Sequence, residues 1–214
     1  MSELVIVLVG GYLLGSVPFA YLIVRLQSRS DVRDDGSGNA GAYNAYIVTQ
    51  SKFTGLVVGI LDALKGMLAV YLAGVYAPGS FLLQCLGLLG AVGGHVFPIW
   101  TRFKGGRGLA TTAGGMFILG FSYTMIWCTL WALAKLLRRE ILESNMVAIL
   151  ITPFLVWLLP WEWLDRLNLA PVDRWTFVFF SCAISFVLLG THLDALKDIW
   201  KGSPEPQEDH VSPS

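Results

Sequence analysis

The chain has 214 residues, 55% of them hydrophobic and 14% charged, and its 15 basic side chains balance its 15 acidic ones. Zero formal net charge gives no support for nucleic-acid binding, and a mean hydropathy of +0.62 excludes an ordinary soluble domain. What remains is an all-α class, a polytopic membrane helical bundle whose apolar runs approach the roughly 20 residues needed to cross a hydrocarbon core.

In chain order, the first span is expected over residues 4–24. It is uncharged, too long for a typical signal h-region and lacks a convincing small-residue cleavage site, so no cleavable signal peptide is expected. A connection of nearly thirty residues follows, well above the usual length between packed helices, which favours function or disorder. Its centre reads Asp31-Val32-Arg33-Asp34-Asp35-Gly36-Ser37-Gly38-Asn39-Ala40-Gly41-Ala42-Tyr43-Asn44. Ser37, Asn39 and Asn44 supply hydroxyl and amide groups able to bind phosphate or polyol oxygens, and a turn-rich surface loop is the plain alternative.

The second span, 53–77, carries Asp62 and Lys65 three residues apart on one helix face. Ionisable groups inside a span must face protein or water, so a structural ion pair is expected, one that also helps hold neighbouring loops. Pro78-Gly79 is a tight turn into the third span, 80–100. That span leads into Lys104-Gly105-Gly106-Arg107-Gly108 and then Leu109-Ala110-Thr111-Thr112. A basic glycine-rich turn at a helix N-terminus combines side-chain charge, backbone N–H groups and the positive end of the helix dipole, which suits phosphate. It is not a Walker A loop, because the GxxxxGK[ST] spacing is absent. A plain basic flank of a span is the alternative. His95, taken alone, reads as a hydrogen-bonded helix-end histidine.

Residues 109–137 would run about 44 Å as one helix, too long without strong tilt, so two shorter segments divided near Gly120 compete with one. Beyond them lie the basic Lys135–Glu143 connection and spans 144–160 and 175–193. Cys85, Cys128 and Cys182 fall inside apolar runs and read as small buried hydrophobes, with no disulfide framework or metal knuckle.

Charge decides between one crossing and two. With two, one side holds Arg25, Arg29, Arg33, Lys52, Arg102, Lys104, Arg107, Lys135, Arg138, Arg139, Lys197 and Lys201, and the other only Arg166 and Arg174, a 12 to 2 split with Lys65 inside a span. A single crossing gives 9 to 5. Basic residues concentrate on the cytoplasmic side, so about seven transmembrane helices are expected, with the N-terminus outside and the C-terminus cytoplasmic. The fourth span is then short and partly re-entrant in character. Trp161, Trp163 and Trp175 form an outer aromatic belt. Both glycine-rich loops, the Lys135–Glu143 connection and His192 fall on the cytoplasmic face, as in an interfacial active site. One integral-membrane domain is expected over 1–202, with a disordered cytoplasmic tail at 203–214 rich in Pro, Ser and acids.

GSVPFAYLI, DVRDDGSGNAGAYN, DALKG and GHVFPIWTRFKGGRGLATT, in that order and spacing, resemble the bacterial acyl-phosphate:glycerol-3-phosphate acyltransferase family, PlsY. The resemblance runs from about Gly15 to Gly202. It implies a seven-helix inner-membrane enzyme of phospholipid synthesis that moves an acyl group from acyl-phosphate to glycerol 3-phosphate, giving lysophosphatidate. It implies no cofactor, no metal and no acyl-enzyme nucleophile, and an acyl-phosphate-producing enzyme as a further partner. By residue it implies Ser37 and His192 as catalytic, with Gly38, Asn39, Lys104 and Arg107 binding substrate, and Asn44, His95, Gly105 and Gly106 complete the expected substrate-binding set. The chain departs from the family pattern at Tyr43 (usually Thr), Ile47 (usually Arg), Leu142 (usually Ser) and Ala195, and Tyr43 and Ile47 make the acceptor side bulkier and less cationic. They motivate two other readings: the same scaffold with another phosphorylated acceptor, or a non-catalytic lipid- or anion-binding homologue.

Overall fold

The computed structural model describes residues 2–137 and 139–200, and the side chains of 194–200 are outside that description. Arg138, Lys201 and the expected disordered tail at 203–214 therefore lie outside the described residues, and so does the side chain of Ala195. Among the described residues there is no strand.

The first rod is two helices, α1 (Ser2–Gly15) and α2 (Phe19–Ser28). A single span was expected here. Pro18, which has no N–H to give the Leu14 carbonyl, interrupts it, and the Val17 carbonyl accepts instead from the Phe19 N–H at 3.2 Å. The long connection that follows contains a helix of its own, α3 (Ala42–Thr49), closed by Gln50 in a left-handed conformation. α4 (Lys52–Tyr76) starts at Ser51, whose side chain accepts from the Thr54 N–H at 3.2 Å. The expected Pro78-Gly79 turn, with Gly79 at φ +78°, leads into α5 (Phe81–Val96).

The ambiguous stretch resolves into α6 (Leu109–Leu119) and α7 (Phe121–Leu136), divided at Gly120. The Thr124 hydroxyl reaches back 3.4 Å to the Ala113 carbonyl. In a continuous helix those residues would stand about 16 Å apart along the axis, so the chain reverses at Gly120. α8 (Ile141–Leu158), the short α9 (Trp161–Asp165) and α10 (Arg174–Trp200) complete the order. α10 outruns its expected end at 193 because the apolar window closes before the helix does.

Among the described residues the bundle thus has seven rods. Five are long and apolar enough to cross a membrane, namely Ser2–Ser28, Lys52–Tyr76, Phe81–Thr101, Ile141–Leu158 and Arg174–Leu193, and Leu109–Leu119 is a shorter apolar helix. Small residues let the rods close up: a Cβ on Gly15 would lie 2.0 Å from the Ala91 carbonyl, and one on Gly66 2.0 Å from that of Thr111. Rods α5, α6, α7, α8 and α10 share an apolar core around Leu88, Met116, Tyr123, Val156 and Phe177.

The two ends of the bundle differ in character. At one end the Gly120 reversal packs on the Phe177 ring, and Ser122 bonds Asn168 in the 159–173 connection through its N–H (3.1 Å) and hydroxyl (2.7 Å). Trp163 and Trp175 are exposed there, whereas Trp161 packs on Phe177 with ring centroids 5.8 Å apart. Cys85 is buried as expected, but Cys128 and Cys182 are exposed, because the faces of α7 and α10 that carry them turn away from the core. The opposite end gathers the glycine-rich loops.

Candidate functional site

The first loop is folded by its own side chains. Asn44, fully buried at the start of α3, accepts from the Ser37 N–H at 2.8 Å and donates to the carbonyls of Val32 (2.6 Å) and Asp35 (3.0 Å). Both amide hydrogens are committed to the loop, so Asn44 shapes the loop and has no free donor for a ligand. Gly36 turns at φ +62°, and a Cβ there would lie 2.2 Å from the Asn44 amide oxygen. Ser37 and Gly38 form the exposed crest, and Asn39 is half-buried behind it.

Arg33 joins this loop to the second. Its Nε donates to Asp31 at 2.8 Å, its Nη2 pairs with the same carboxylate, and its Nη1 donates to the Thr101 carbonyl at 2.7 Å, with Tyr21 beneath the guanidinium. The Asp31 side chain, hydrogen-bonded by Arg33, is held below the usual aspartate range, and Arg33 is pushed up in turn. Arg33 is therefore a structural tie and does not replace the arginine missing at Ile47. Arg139 pairs at 3.5 Å with Glu143 on the surface.

The second loop is held from below. Arg102 and Phe103 both take left-handed conformations (φ 54° and 61°), uncommon for residues with side chains, and carry the chain sharply back over the end of α5. The Gly106 N–H donates to the His95 carbonyl at 3.1 Å, and the Gly105 carbonyl accepts from Ala40 of the first loop at 3.2 Å. A Cβ on Gly105 would lie 2.0 Å from the His95 carbonyl and 2.5 Å from the Pro98 ring. On Gly106 it would meet the His95 ring at 2.1 Å and the Ala40 carbonyl at 2.9 Å. These glycines are set by close backbone approach. Lys104 is exposed and has no acidic partner among the described residues, whereas Arg107 is half-buried.

α10 closes the third side. The Thr191 hydroxyl lies 2.9 Å from the Arg107 carbonyl. His192 is fully buried, with Nδ1 2.7 Å from the Leu188 carbonyl, so Nδ1–H donates and Nε2 is left as an acceptor without a partner among the described residues. Thr111 and Thr112, at the start of α6, are also buried with unpartnered hydroxyls. Unpaired buried hydroxyls beside a helix N-terminus and a basic loop are the signal that marks them.

Beneath the loops sits a buried cluster that the sequence showed only in part. Lys65 Nζ is 2.9 Å from Asp62 Oδ1, as the spacing suggested, and His95 Nδ1 approaches the same oxygen to 3.4 Å. His95 is buried under Gly106. It is therefore placed as the floor of the second loop.

The structure thus brings Ser37, Gly38, Asn39, Lys104, Gly105, Gly106, Arg107 and His192 to one end of the bundle. The Lys135–Glu143 connection follows α7 at that same end; within it Leu142 is buried, and just after it the Ser144 hydroxyl donates to the Glu140 carbonyl at 2.8 Å. Two glycine-rich loops, an exposed lysine and a buried histidine acceptor thus share one end of the bundle.

Comparison with known proteins agrees. Residues 5–202 match the family model described as glycerol-3-phosphate acyltransferase. A glycerol-3-phosphate acyltransferase of Bradyrhizobium diazoefficiens is 35% identical over 197 residues, covering 92% of this chain and 91% of its own. One from Mesorhizobium japonicum is 42% identical over 149 residues, 69% of this chain and 74% of its own. The crystal structure of PlsY (YgiH), an integral membrane glycerol 3-phosphate acyltransferase, in its glycerol 3-phosphate form superposes with a TM-score of 0.79 at 25% identity, covering 97% of this chain and 96% of that one. Its lysophosphatidic acid form gives 0.75. The chain belongs to the glycerol-3-phosphate acyltransferase family.

Proposed function

We propose that this chain is a membrane glycerol-3-phosphate acyltransferase that takes its acyl group from acyl-phosphate and releases lysophosphatidate, at the cytoplasmic face of the inner membrane. The observation that carries this reading is the bond from Ala40 N–H to the Gly105 carbonyl, 3.2 Å, which makes one site of two loops. Family membership supplies the acceptor and the product, since its relatives include a glycerol 3-phosphate form and a lysophosphatidic acid form. The 12 to 2 partition of basic residues supports seven crossings, the N-terminus outside and the loops inside.

In this reading Lys104 and Arg107, with the loop N–H groups and the start of α6, neutralise the two phosphates that must approach each other. Gly38 and Asn39 frame the acceptor, and Ser37 and His192 orient the reacting groups. The sn-1 hydroxyl oxygen attacks the acyl carbonyl, the carbon–oxygen bond to phosphate breaks, and phosphate leaves with the electron pair and takes up the hydroxyl proton. Positioning is the main contribution, because the mixed anhydride is already activated. An enzyme that makes acyl-phosphate must act upstream.

The test is acyl transfer from palmitoyl-phosphate to labelled glycerol 3-phosphate by purified protein. Lysophosphatidate is expected, and its absence from well-folded protein across several acyl donors and pH values would overturn the reading. One observation favours a second acceptor: apolar Ile47 Cγ2 lies 3.4 Å from the Cβ position of Gly36, where the family carries arginine. Screening other phosphorylated polyols against acyl-phosphate separates the two.

A further inference from the structure

The cluster beneath the loops joins four parts of the chain at one point. Asp62 and Lys65 come from α4, with side chains 2% and 5% exposed. Lys65 Nζ also donates to the Val17 carbonyl at 3.1 Å and lies 5.8 Å from the centre of the Phe19 ring. Val17 lies at the Pro18 break between α1 and α2, where its carbonyl also accepts from the Phe19 N–H at 3.2 Å. On the other side Asp62 Oδ1 stands 3.4 Å from His95 Nδ1, longer than an ideal hydrogen bond but close for charge. His95 then grips the second loop twice, by its carbonyl to the Gly106 N–H and by its ring edge under Gly106. The same point is bounded by the Ala40 carbonyl of the first loop.

A buried ion pair is weak evidence for stability, because desolvation offsets most of its attraction and an apolar pair of like volume often does as well. A pair retained here needs another use, and its placement supplies one. The end of α5 meets Gly106 through both the carbonyl and the ring of His95, and Asp62 is the carboxylate that stands beside that ring.

We propose that Asp62 and Lys65 are positioning residues of the transferase: through His95 they set the spacing between the two glycine-rich loops, and Lys65 fastens this arrangement to the break in the first rod. The proposal rests on the acyltransferase reading for its kinetic consequences, and on geometry alone for its effect on the loop. Both side chains are buried beneath the loops. Their effect is on where Lys104 and Arg107 stand.

The test separates stability from positioning. In full-length protein, Asp62→Asn strands the Lys65 ammonium and is expected to lower the melting temperature. The double variant Asp62→Asn/Lys65→Met replaces the ion pair by a neutral one and is expected to melt near the wild type. Its KM for glycerol 3-phosphate should nevertheless rise about tenfold, with a smaller fall in kcat, and amide exchange across 104–108 should quicken. His95→Gln, which leaves the ion pair in place, should quicken the same amides, and it serves if the double variant folds poorly. Unchanged exchange at 104–108 in the folded double variant and in His95→Gln overturns the proposal, as does a double variant with wild-type kcat/KM. A wild type that makes no lysophosphatidate overturns the acyltransferase reading instead, and the exchange result then still decides the positioning role.

Discussion

The two glycine-rich loops lie against each other yet are built in opposite ways. The first holds itself: Asn44 and the Asp31–Arg33 pair supply its shape from within, and its one central cation is consumed in doing so. The second is held by the scaffold, through the end of α5 and the buried Asp62, and its Lys104 remains exposed. A loop shaped from below can leave its charges for a ligand. A loop that shapes itself offers hydroxyl and backbone groups. The phosphate charge should therefore be answered mainly by the second loop and the acceptor mainly framed by the first.

The largest expected effect that would break this contrast is at Gly105. Its Cβ position is hemmed in by the His95 and Val96 carbonyls and the Pro98 ring, so Gly105→Ala must shift backbone and break the link to Ala40. Loss of nearly all acyl transfer in folded protein is expected, measured against the wild type with its melting temperature as control, and wild-type turnover would show that the loop is not held as described. Lys104→Ala comes next. Removing one charge-assisted phosphate contact costs about 2 kcal/mol, roughly thirtyfold in kcat/KM, with little change in melting temperature. Equal loss of stability and activity would mean that the lysine holds structure.

Asn44→Ala should behave in the reverse way. It leaves the Ser37 N–H and two carbonyls without their partner, at about 1–3 kcal/mol, so thermal stability and exchange protection of 32–38 should fall together with activity. The smallest effect is at Asp31. Its pKa lies below the ordinary value, so the stability it gives is present above the unfolded value near 3.9 and is lost as pH falls through the folded one. Between pH 5 and 8 no change from this group is expected. Below about pH 4 the wild-type first loop should lose protection, and Asp31→Asn should flatten that response.

Much of this was legible in the sequence where a local rule applied. The division at Gly120 followed from length against membrane thickness, and the Asp62–Lys65 contact from helical spacing. The Pro78-Gly79 turn followed from its residues. The rest depended on contacts between distant segments. His95 joins Asp62 only because α5 packs on α4, and Arg33 meets Thr101 only once both loops fold. α3 escaped notice because AYNAYIVT has no amphipathic stripe and its helix is fixed by packing on α4. The break at Pro18 was visible in GSVPFA, but a single apolar run masked it. Cys128 and Cys182 looked like core residues because in a membrane chain apolar surroundings do not separate core from lipid-facing surface.

The most direct test of a single shared site is a double-mutant cycle between the loops. Ser37→Ala, Lys104→Ala and the pair would be compared for kcat/KM with glycerol 3-phosphate and palmitoyl-phosphate. One site predicts a coupling of about 1 kcal/mol or more, the pair losing less than the sum of the single losses. Strict additivity would place the two loops in separate roles and contradict the account.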